Sequence, residues 1–397
     1  MSVSVGVAVG VLSAGIWVYL FFFRGAFWRL TDFDDDRCAI SAKQKFPRVC
    51  AIVPARNEAP TIAATVTSLL QQDYPGEFSV VVVDDHSDDG TAQAASEAAE
   101  GTNNASGDAS RFTIYSAEPL QRGWTGKLWA LNEGVRRVSA EAEQRGEPIE
   151  FFWFTDADIQ HAPDTLRRLV ARAETDRLDL ASLMVLLRAR TLQEKLLIPA
   201  FVYFFLQLYP PRWIANPNAR TAGAAGGCLL IRGSTLQRIG GLAAIRNALI
   251  DDCTLARAVK GAGGRLWMGV TRSSVSQRDY RSFAEIRDMI ARTAFTQLRY
   301  STALLLLTIV ALFVTYIAPL VLPFAGKPVA RILGIIACVL MATSFLPTIR
   351  YYRLSRTWTL LLPVTAAVYA YATVLSAVRF WLGRGGQWKG RSQAPFS

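Results

Sequence analysis

Apolar residues along this chain fall into two patterns: short runs broken by polar turns, and long unbroken blocks. From about Arg48 to Tyr280 the runs are short. Val49–Pro54 and Ser79–Val83 are continuous apolar stretches of strand length and read as strands buried on both faces. Phe112–Tyr115 and Phe151–Thr155 predict two more. Between them Ala59–Gln72, Thr91–Glu100 and Gly126–Arg145 carry helical periodicity, the first ending before Tyr74-Pro75. Gly101–Ser110 is small and polar and reads as a flexible loop. Strands alternating with helices predict an α/β domain, with a Rossmann-like, mainly parallel sheet covered by helices on both faces.

The long blocks lie at the two ends. Ser2–Phe23, Ala303–Phe324, Val329–Ile349 and Trp358–Leu382 each approach or exceed the roughly 20 apolar residues that cross a bilayer. The first has neither a basic leader nor a clear small-residue cleavage site, so it reads as an anchor and not a signal peptide. Arg331 and Arg379 stand near block ends, where a long side chain reaches the interface. Lys195–Ile214 is as apolar, but Pro199, Pro210 and Pro211 interrupt it, and a helix lying in the membrane interface is expected. Ser282–Tyr300 is amphipathic. The expected organisation is an anchor over 1–24, an α/β domain over 45–281 and an amphipathic interfacial helix over 282–301. A membrane region of about three segments over 302–383 and a basic tail over 384–397 complete it.

Composition agrees: 51% of the 397 residues are hydrophobic, enough for both a core and membrane segments. The net charge of +11 collects beside the long blocks, at Arg24, Arg29, Arg350, Arg353, Arg356, Lys389 and Arg391. That placement suits an anionic cytoplasmic leaflet, and the absence of a basic reader motif argues against nucleic acid as a partner. The five cysteines, Cys38, Cys50, Cys228, Cys253 and Cys338, form no CxxC pair. A reducing compartment fits them and a zinc site does not.

Three acidic clusters carry the candidate chemistry. Asp84 and Asp85 follow VVVV, and Asp156 and Asp158 follow FFWFT. Asp251 and Asp252 open a helix-like segment. Carboxylates at the carboxyl ends of strands in an open α/β sheet point into its ligand crevice. Asp156 and Asp158 are hard oxygen donors suited to Mg²⁺ or Mn²⁺, which fill their shells with phosphate and water; the plain alternative is a turn or helix cap. One of Asp84 and Asp85 can accept from a nucleobase N–H, while Asp88, Asp89 and Gly90 lead an Asx turn into a capped helix. Asp252, with Asp251 beside it, reads as a general base or as a helix N-cap. GWTGKL lacks the phosphate-loop spacing, and Gly223–Gly227 lacks GxGxxG; the latter suits close approach of a ligand to the backbone. His86 reads as structural and His161 as a helix-entry residue. Asp32–Asp36 reads as a solvated juxtamembrane loop.

The motifs VCAIVPARNEA, VVVDDHSDDGT, GWTGKLWALNEGV, TDADIQHAPDTL, AGGCLLIRGS and IDDCTLARAVK, in this order, resemble those of family 2 inverting glycosyltransferases of GT-A fold. The membrane layout and RTAFTQLRYS resemble the hopene-associated glycosyltransferases, relatives of ceramide glucosyltransferases. The resemblance implies that Pro54, Arg56, Glu58, Asp84, Asp85, Lys127, Asp156 and Gly227 bind a nucleotide-sugar, of the UDP type. It implies that Asp156 and Asp158 hold the metal, that Asp252 deprotonates the acceptor, and that Gln297, Arg299 and Tyr300 serve the acceptor and diphosphate side. The acceptor it implies is a lipid hydroxyl, hopanoid or sphingolipid-like, at a bacterial inner membrane with the catalytic domain in the cytoplasm.

Two departures stand out. Related synthases carry Gln/Arg-x-x-Arg-Trp near the membrane; here Arg299 matches, Tyr300 replaces Trp and Gln297 is one residue out of register. A cytoplasmic domain with three full C-terminal spans also leaves the basic tail outside, against the positive-inside tendency. A polyprenyl-phosphate glycosyltransferase, with Arg292 and Arg299 holding the phosphate, and an inactive membrane scaffold of the same fold remain as alternatives.

Overall fold

The computed structural model describes residues 5–31, 33, 46–106, 111–383, 387–388 and 391–392. The acidic run at 32–36 other than Phe33, Cys38, Lys389 and most of the basic tail lie outside the described residues. The chain forms two compact units. One is built from Thr31–Arg188 and Trp213–Asp279; the other comprises the N-terminal residues to Leu30, Ala189–Arg212 and Tyr280–Gln387.

The first unit is built on an eight-stranded sheet: β1 Val49–Ala55, β2 Phe78–Asp84, β3 Phe112–Ser116, β4 Phe151–Thr155, β5 Ile159–His161, β6 Leu180–Leu186, β7 Cys228–Arg232 and β8 Leu266–Ser276. Their order is β3-β2-β1-β4-β7-β6-β8-β5. The four expected strands form the parallel half, with β1 between β2 and β4. All seven residues of β1 are buried, as a continuous apolar run at the centre of a covered sheet requires. The other half is mixed: β7 runs antiparallel to β4 and β6, β6 and β8 are parallel, and β5 returns antiparallel on β8.

The expected helices are present. Pro60 stands at the start of Ala59–Leu70, where its missing N–H costs nothing. Gly126–Arg145 ends at Gly146 in the left-handed conformation. This helix lies close on the sheet at Gly134, where a Cβ would come within 2.6 Å of Ile52 Cγ2. The third helix departs from expectation. Thr91–Ser106 continues through the first part of the polar stretch read as a loop, because Gly and Asn inside a helix lower its stability by about 1 kcal/mol or less each without forbidding it.

The second unit is helical. Val5–Phe23, Thr302–Phe324, Pro328–Tyr351 and Arg356–Trp381 are long and apolar enough to cross a membrane, in agreement with the four apolar blocks. Leu192–Leu208 starts with a full capping box between Thr191 and Glu194 and keeps Pro199 inside. Lying in the interface was the expectation for this segment. Here its aromatic residues pack on the long helices: Tyr203 is buried against Phe345 and bonds Ser344, and Phe204 meets Tyr316 and Tyr369. Phe283–Gln297 is capped by Ser282 and buries Ile286, Ile290, Ala291 and Phe295, the apolar side of the amphipathic pattern. Arg379 pairs with Asp288 of this helix at 2.8 Å.

Candidate functional site

The parallel register brings the acids together. Ala55 pairs with Asp84 across β1 and β2, and Ile52 with Phe154 across β1 and β4. The chain therefore leaves β2, β1 and β4 at one carboxyl edge, carrying Asp84-Asp85, Arg56 and Asp156. Thr155 faces Cys228 across the antiparallel β4–β7 pair, which sets Gly226 and Gly227 against the turn after β4. A pocket of about 340 Å³, open to solvent, forms there. Pro54, Lys127, Asp156, Gly226, Asp251 and Asp252 are among its lining residues, with Leu242 and Ile245 closing an apolar side.

Lys127, in the first turn of its helix, is the electrostatic centre. Its Nζ lies 2.8 Å from Asp156 Oδ1 and 3.2 Å from Asp251 Oδ2. Burial works against its charge, but Asp156, Asp251 and Asp252 outweigh that and raise the ammonium above the usual lysine value. Asp251 and Asp252 occupy the first turn of Asp251–Gly261, and the cap residue itself is Ile250, with no side-chain bond. Carboxylates there interact favourably with the helix dipole, and both side chains also line the pocket. Asp252 Oδ2 accepts from the Gly226 N–H at 2.9 Å and its Oδ1 from the Cys253 N–H at 2.6 Å. Burial pushes its carboxyl up to about 7, and the Asp251 charge adds to this while Lys127 and the two N–H groups oppose it.

Asp158 is not among the residues that line this pocket. It is 8% exposed and accepts from the Ser276 hydroxyl at 3.0 Å. Burial raises its carboxyl to about 6, the charges of Asp156 and Glu58 adding to the effect. Among the described residues no group of three His, Cys, Asp or Glu side chains is gathered as a closed metal cage.

The loops after β1 and β2 are laced together. Arg56 donates to the Asp85 carbonyl and pairs with its carboxylate at 3.7 Å. Asn57 takes a positive φ of 50° and donates its N–H to Ser87 Oγ, and the Glu58 N–H donates to Thr91 Oγ1. Asp89 caps Thr91 and accepts from the Ala59 N–H. Asp84 accepts from the Ser87 N–H with Oδ2, an Asx-type turn, while its buried Oδ1 has no partner among the described residues. The turn-and-cap reading of this cluster is met by Asp84 and Asp89, and Asp84 keeps one buried oxygen without a partner among the described residues. His86 is exposed in the same loop, with φ 54°.

Gly227, expected at the nucleotide-sugar, has core side chains beside it. At Gly227 an added Cβ would meet Val185 at 3.3 Å and Ile159 at 3.6 Å, both core side chains. Gly226 is the glycine against the acids, its Cβ position lying 3.3 Å from Asp252 Oδ2 and 3.4 Å from Lys127 Nζ. Gln297, Arg299 and Tyr300 belong to the helical unit. There Gln297 accepts from the Tyr209 hydroxyl at 3.0 Å, and Tyr300 stacks on Phe380 at 4.4 Å. Arg299 and Tyr300 take φ of 51° and 57° and turn the chain towards Thr302. His161 does not lead into a helix; it is a buried member of β5, because the segment pairs with β8 before Asp164 begins the next helix.

Sequence reasoning missed Gly226, Thr155, Leu242 and Ile245. Thr155 was read only as a strand end. The Leu242–Ile245 turn had a signal in Gly240-Gly241, both at positive φ. It is held by the Arg246 carbonyl, which accepts from the Thr125 N–H at 2.9 Å beside Lys127.

Residues 50–235 match the family model described as Glycosyl transferase family 2. No curated protein matches the chain. Among solved structures, the mannosyltransferase PcManGT from Pyrobaculum calidifontis, in complex with GDP-Man and Mn²⁺, is 22% identical with a TM-score of 0.57. The likeness covers 94% of this chain and 99% of that one. TarS of S. aureus is 16% identical with a TM-score of 0.40, over 84% of this chain and 55% of that one. The glucosyl-3-phosphoglycerate synthase of Mycobacterium tuberculosis, in complex with Mn²⁺, UDP-glucose and glycerol 3-phosphate, is 17% identical with a TM-score of 0.40, over 68% of this chain and 87% of that one. Residues 50–235 of the α/β unit thus match a glycosyl transferase family 2 domain, on a mixed, mostly parallel sheet of GT-A type.

Proposed function

We propose that this chain is a membrane-bound inverting glycosyltransferase that moves one sugar from a UDP-sugar to a lipid hydroxyl, hopanoid or sphingolipid-like. The observation that carries the reading is the meeting of Lys127, Asp156, Asp251 and Asp252 in one pocket at the carboxyl edge of the sheet. Four helices of membrane-crossing length and apolarity support a lipid as the acceptor.

Asp84 and Asp85 address the nucleoside, Asp84 with its unpartnered Oδ1, and Pro54, Arg56 and Glu58 shape the same end. Lys127 meets the diphosphate as a point charge; its present partners are carboxylates, which a phosphate oxygen replaces. Asp156 and Asp158 would hold Mg²⁺ or Mn²⁺. The donor set fits: two hard carboxylates, one of them with its ionised form disfavoured by burial and by the charges of Asp156 and Glu58, an arrangement that a divalent cation relieves. A bound cation would supply Lewis-acid stabilisation of the leaving diphosphate. Asp252, its oxygens held by the N–H groups of Gly226 and Cys253, accepts the proton of the attacking hydroxyl. Attack opposite the leaving group inverts the anomeric centre in one displacement. Gln297, Arg299 and Tyr300 are assigned to the acceptor side. The cytoplasmic face of a bacterial inner membrane is the place where donor and acceptor meet.

The test uses the purified full chain in lipid nanodiscs, with labelled UDP- and GDP-sugars and extracted lipids, and mass spectrometry of the product. The expected result is one hexose added to a lipid from a UDP-sugar. Asp252→Asn should lower transfer by about 10²–10⁴-fold, the usual worth of a general base, while UDP with Mn²⁺ still binds by calorimetry. Wild-type turnover by that variant removes Asp252 from the role. No binding of any nucleoside diphosphate with Mn²⁺ removes the transferase reading.

A further inference from the structure

Behind the acidic turn lies a buried histidine that the chemistry above does not use. His161 is 4% exposed, with its ring 4.6 Å from that of Trp153. Its Nε2 is 2.9 Å from Thr155 Oγ1, and its Nδ1 is 2.8 Å from Ser274 Oγ. Counting hydrogens gives the direction of each bond. The Thr155 hydroxyl has one hydrogen, and the Gly227 carbonyl, which can only accept, lies 2.9 Å away. The Asp156 carbonyl is farther, at 3.5 Å, and a hydrogen turned to Nε2 instead would leave the Thr155 and Gly227 oxygens facing each other at 2.9 Å with none between them. With its hydrogen committed to Gly227, Thr155 must accept from Nε2–H. A neutral imidazole has a single N–H, so Nδ1 accepts from the Ser274 hydroxyl. Burial pushes the imidazole down to about 3, which keeps it neutral in the working range.

Thr155 itself lines the pocket, and Gly227 is one residue from it. Thr155 precedes Asp156, which pairs with Lys127; Gly227 follows Gly226, whose N–H holds Asp252 Oδ2. We propose that His161 is a positioning residue which, as the Nε2–H tautomer, locks the Thr155 hydroxyl on the Gly227 carbonyl and so aligns Asp252 with the Asp156 turn. The kinetic part of this inference rests on the transferase reading; the tautomer does not. A residue that only filled space would be replaced by any ring of similar size, whereas a positioning donor must keep its N–H. Alignment of a base acts on turnover more than on donor affinity.

The chain has two histidines, His86 and His161, so ring-¹⁵N-histidine labelling of the full protein in detergent yields two sets of signals. At pH 7 the set that vanishes in His161→Phe should show a protonated Nε2 and an unprotonated Nδ1. A Nδ1–H tautomer or an imidazolium there overturns the proposal. In turnover, His161→Phe should lose about tenfold or more in kcat with the donor KM within about twofold. His161→Gln, which restores an N–H donor at similar reach, should recover most of the loss. Wild-type kcat in the Phe variant, or a folded Gln variant no better than Phe, overturns the positioning role. If the wild-type chain transfers no sugar at all, the transferase reading falls, while the spectrum still decides the tautomer.

Discussion

Gly226→Ala should leave the fold intact and slow the reaction. The glycine lies in the turn before β7, where its N–H donates to Asp252 Oδ2 at 2.9 Å. An added Cβ would stand 3.3 Å from that same oxygen, 3.4 Å from Lys127 Nζ and 3.5 Å from Asp252 Cβ. These distances are tight by a few tenths of an ångström, and the atoms that must yield are the charged ends of the base and the lysine. Movement of Asp252 away from the methyl group also lengthens its bond to the Gly226 N–H. A hydrogen bond to a charged group contributes about 1.5–3 kcal/mol. At 1.36 kcal/mol per decade, its full loss in the transition state slows turnover between about tenfold and about 150-fold. Stability should move the other way or stay level, because Gly226 is not at a positive φ and Gly→Ala at a compatible backbone adds about 0.4–1 kcal/mol. The control is Gly227→Ala, whose Cβ would press on Val185 at 3.3 Å and Ile159 at 3.6 Å. That variant should lose thermal stability through overpacking with a smaller loss of kcat. The assay is donor turnover at saturating substrate beside a thermal-unfolding scan of the same preparations. Wild-type kcat in Gly226→Ala, or the selective loss appearing at Gly227 instead, would refute the geometry argued for the base.

Three further outcomes are expected. As a base, Asp252 acts in its charged form, and its folded-state carboxyl is raised to about 7; turnover should therefore fall as pH drops below about 7, approaching tenfold per unit, and a flat rate from pH 5 to 8 at saturating donor would contradict the assignment. Lys260 on the same helix donates to the carbonyls of Trp213, Ile214 and Thr221 at 3.0, 2.9 and 2.6 Å, so Lys260→Met strands three acceptors and should cost about 2–4 kcal/mol, read as a lowered unfolding midpoint; an unchanged midpoint would show that water replaces the ammonium freely. Gly134→Ala adds about 1 kcal/mol of helix propensity but drives a methyl group to 2.6 Å from Ile52 Cγ2 and 3.1 Å from Val83 Cγ2, an overpacking worth about 1–3 kcal/mol, so the net change should lie between none and a loss of about 2 kcal/mol, and a stabilised variant would mean that the helix can lift off the sheet.

The parallel half of the sheet was legible because each of its strands is an unbroken apolar run followed by a polar turn. Val49–Pro54, Phe112–Tyr115 and Phe151–Thr155 fall within one residue of β1, β3 and β4, and the helices between them follow from their periodicity. β6 to β8 were not read as strands. Leu180–Leu186 is an apolar run after Asp179, but periodicity alone does not tell a short buried strand from a buried helix segment. β8 mixes Arg272, Ser273 and Ser274 into the pattern because its far end pairs with the short β5, where a hydroxyl is wanted beside His161. His161 itself was misread for the same reason: the pattern His-Ala-Pro-Asp looks like a helix entry until long-range pairing with β8 is known.

That missing half also explains which site residues could be seen. Carboxylates announce themselves, and all of Asp84, Asp85, Asp156, Asp158, Asp251 and Asp252 stand where acids are hard to explain by folding alone. The grouping of Asp156, Asp251 and Asp252 with Gly226 in one pocket depends on something sequence pattern does not carry, the reversal of direction at β7. Because β7 is antiparallel to β4, the beginning of one strand meets the end of the other, with Cys228 opposite Thr155. A parallel β7 would put its amino end at the opposite edge and carry Gly226 away from Asp156. The antiparallel strand therefore brings a backbone N–H to the edge where the parallel strands deliver only side chains and carbonyl ends. That N–H is what Asp252 uses, and the adjoining carbonyl is what Thr155 uses. The identity of the serving glycine is settled in the turn before β7, where Gly226 meets the acids while Gly227 meets Val185. A glycine pair in the sequence leaves that choice open by one residue, and one residue separates a pocket wall from the core.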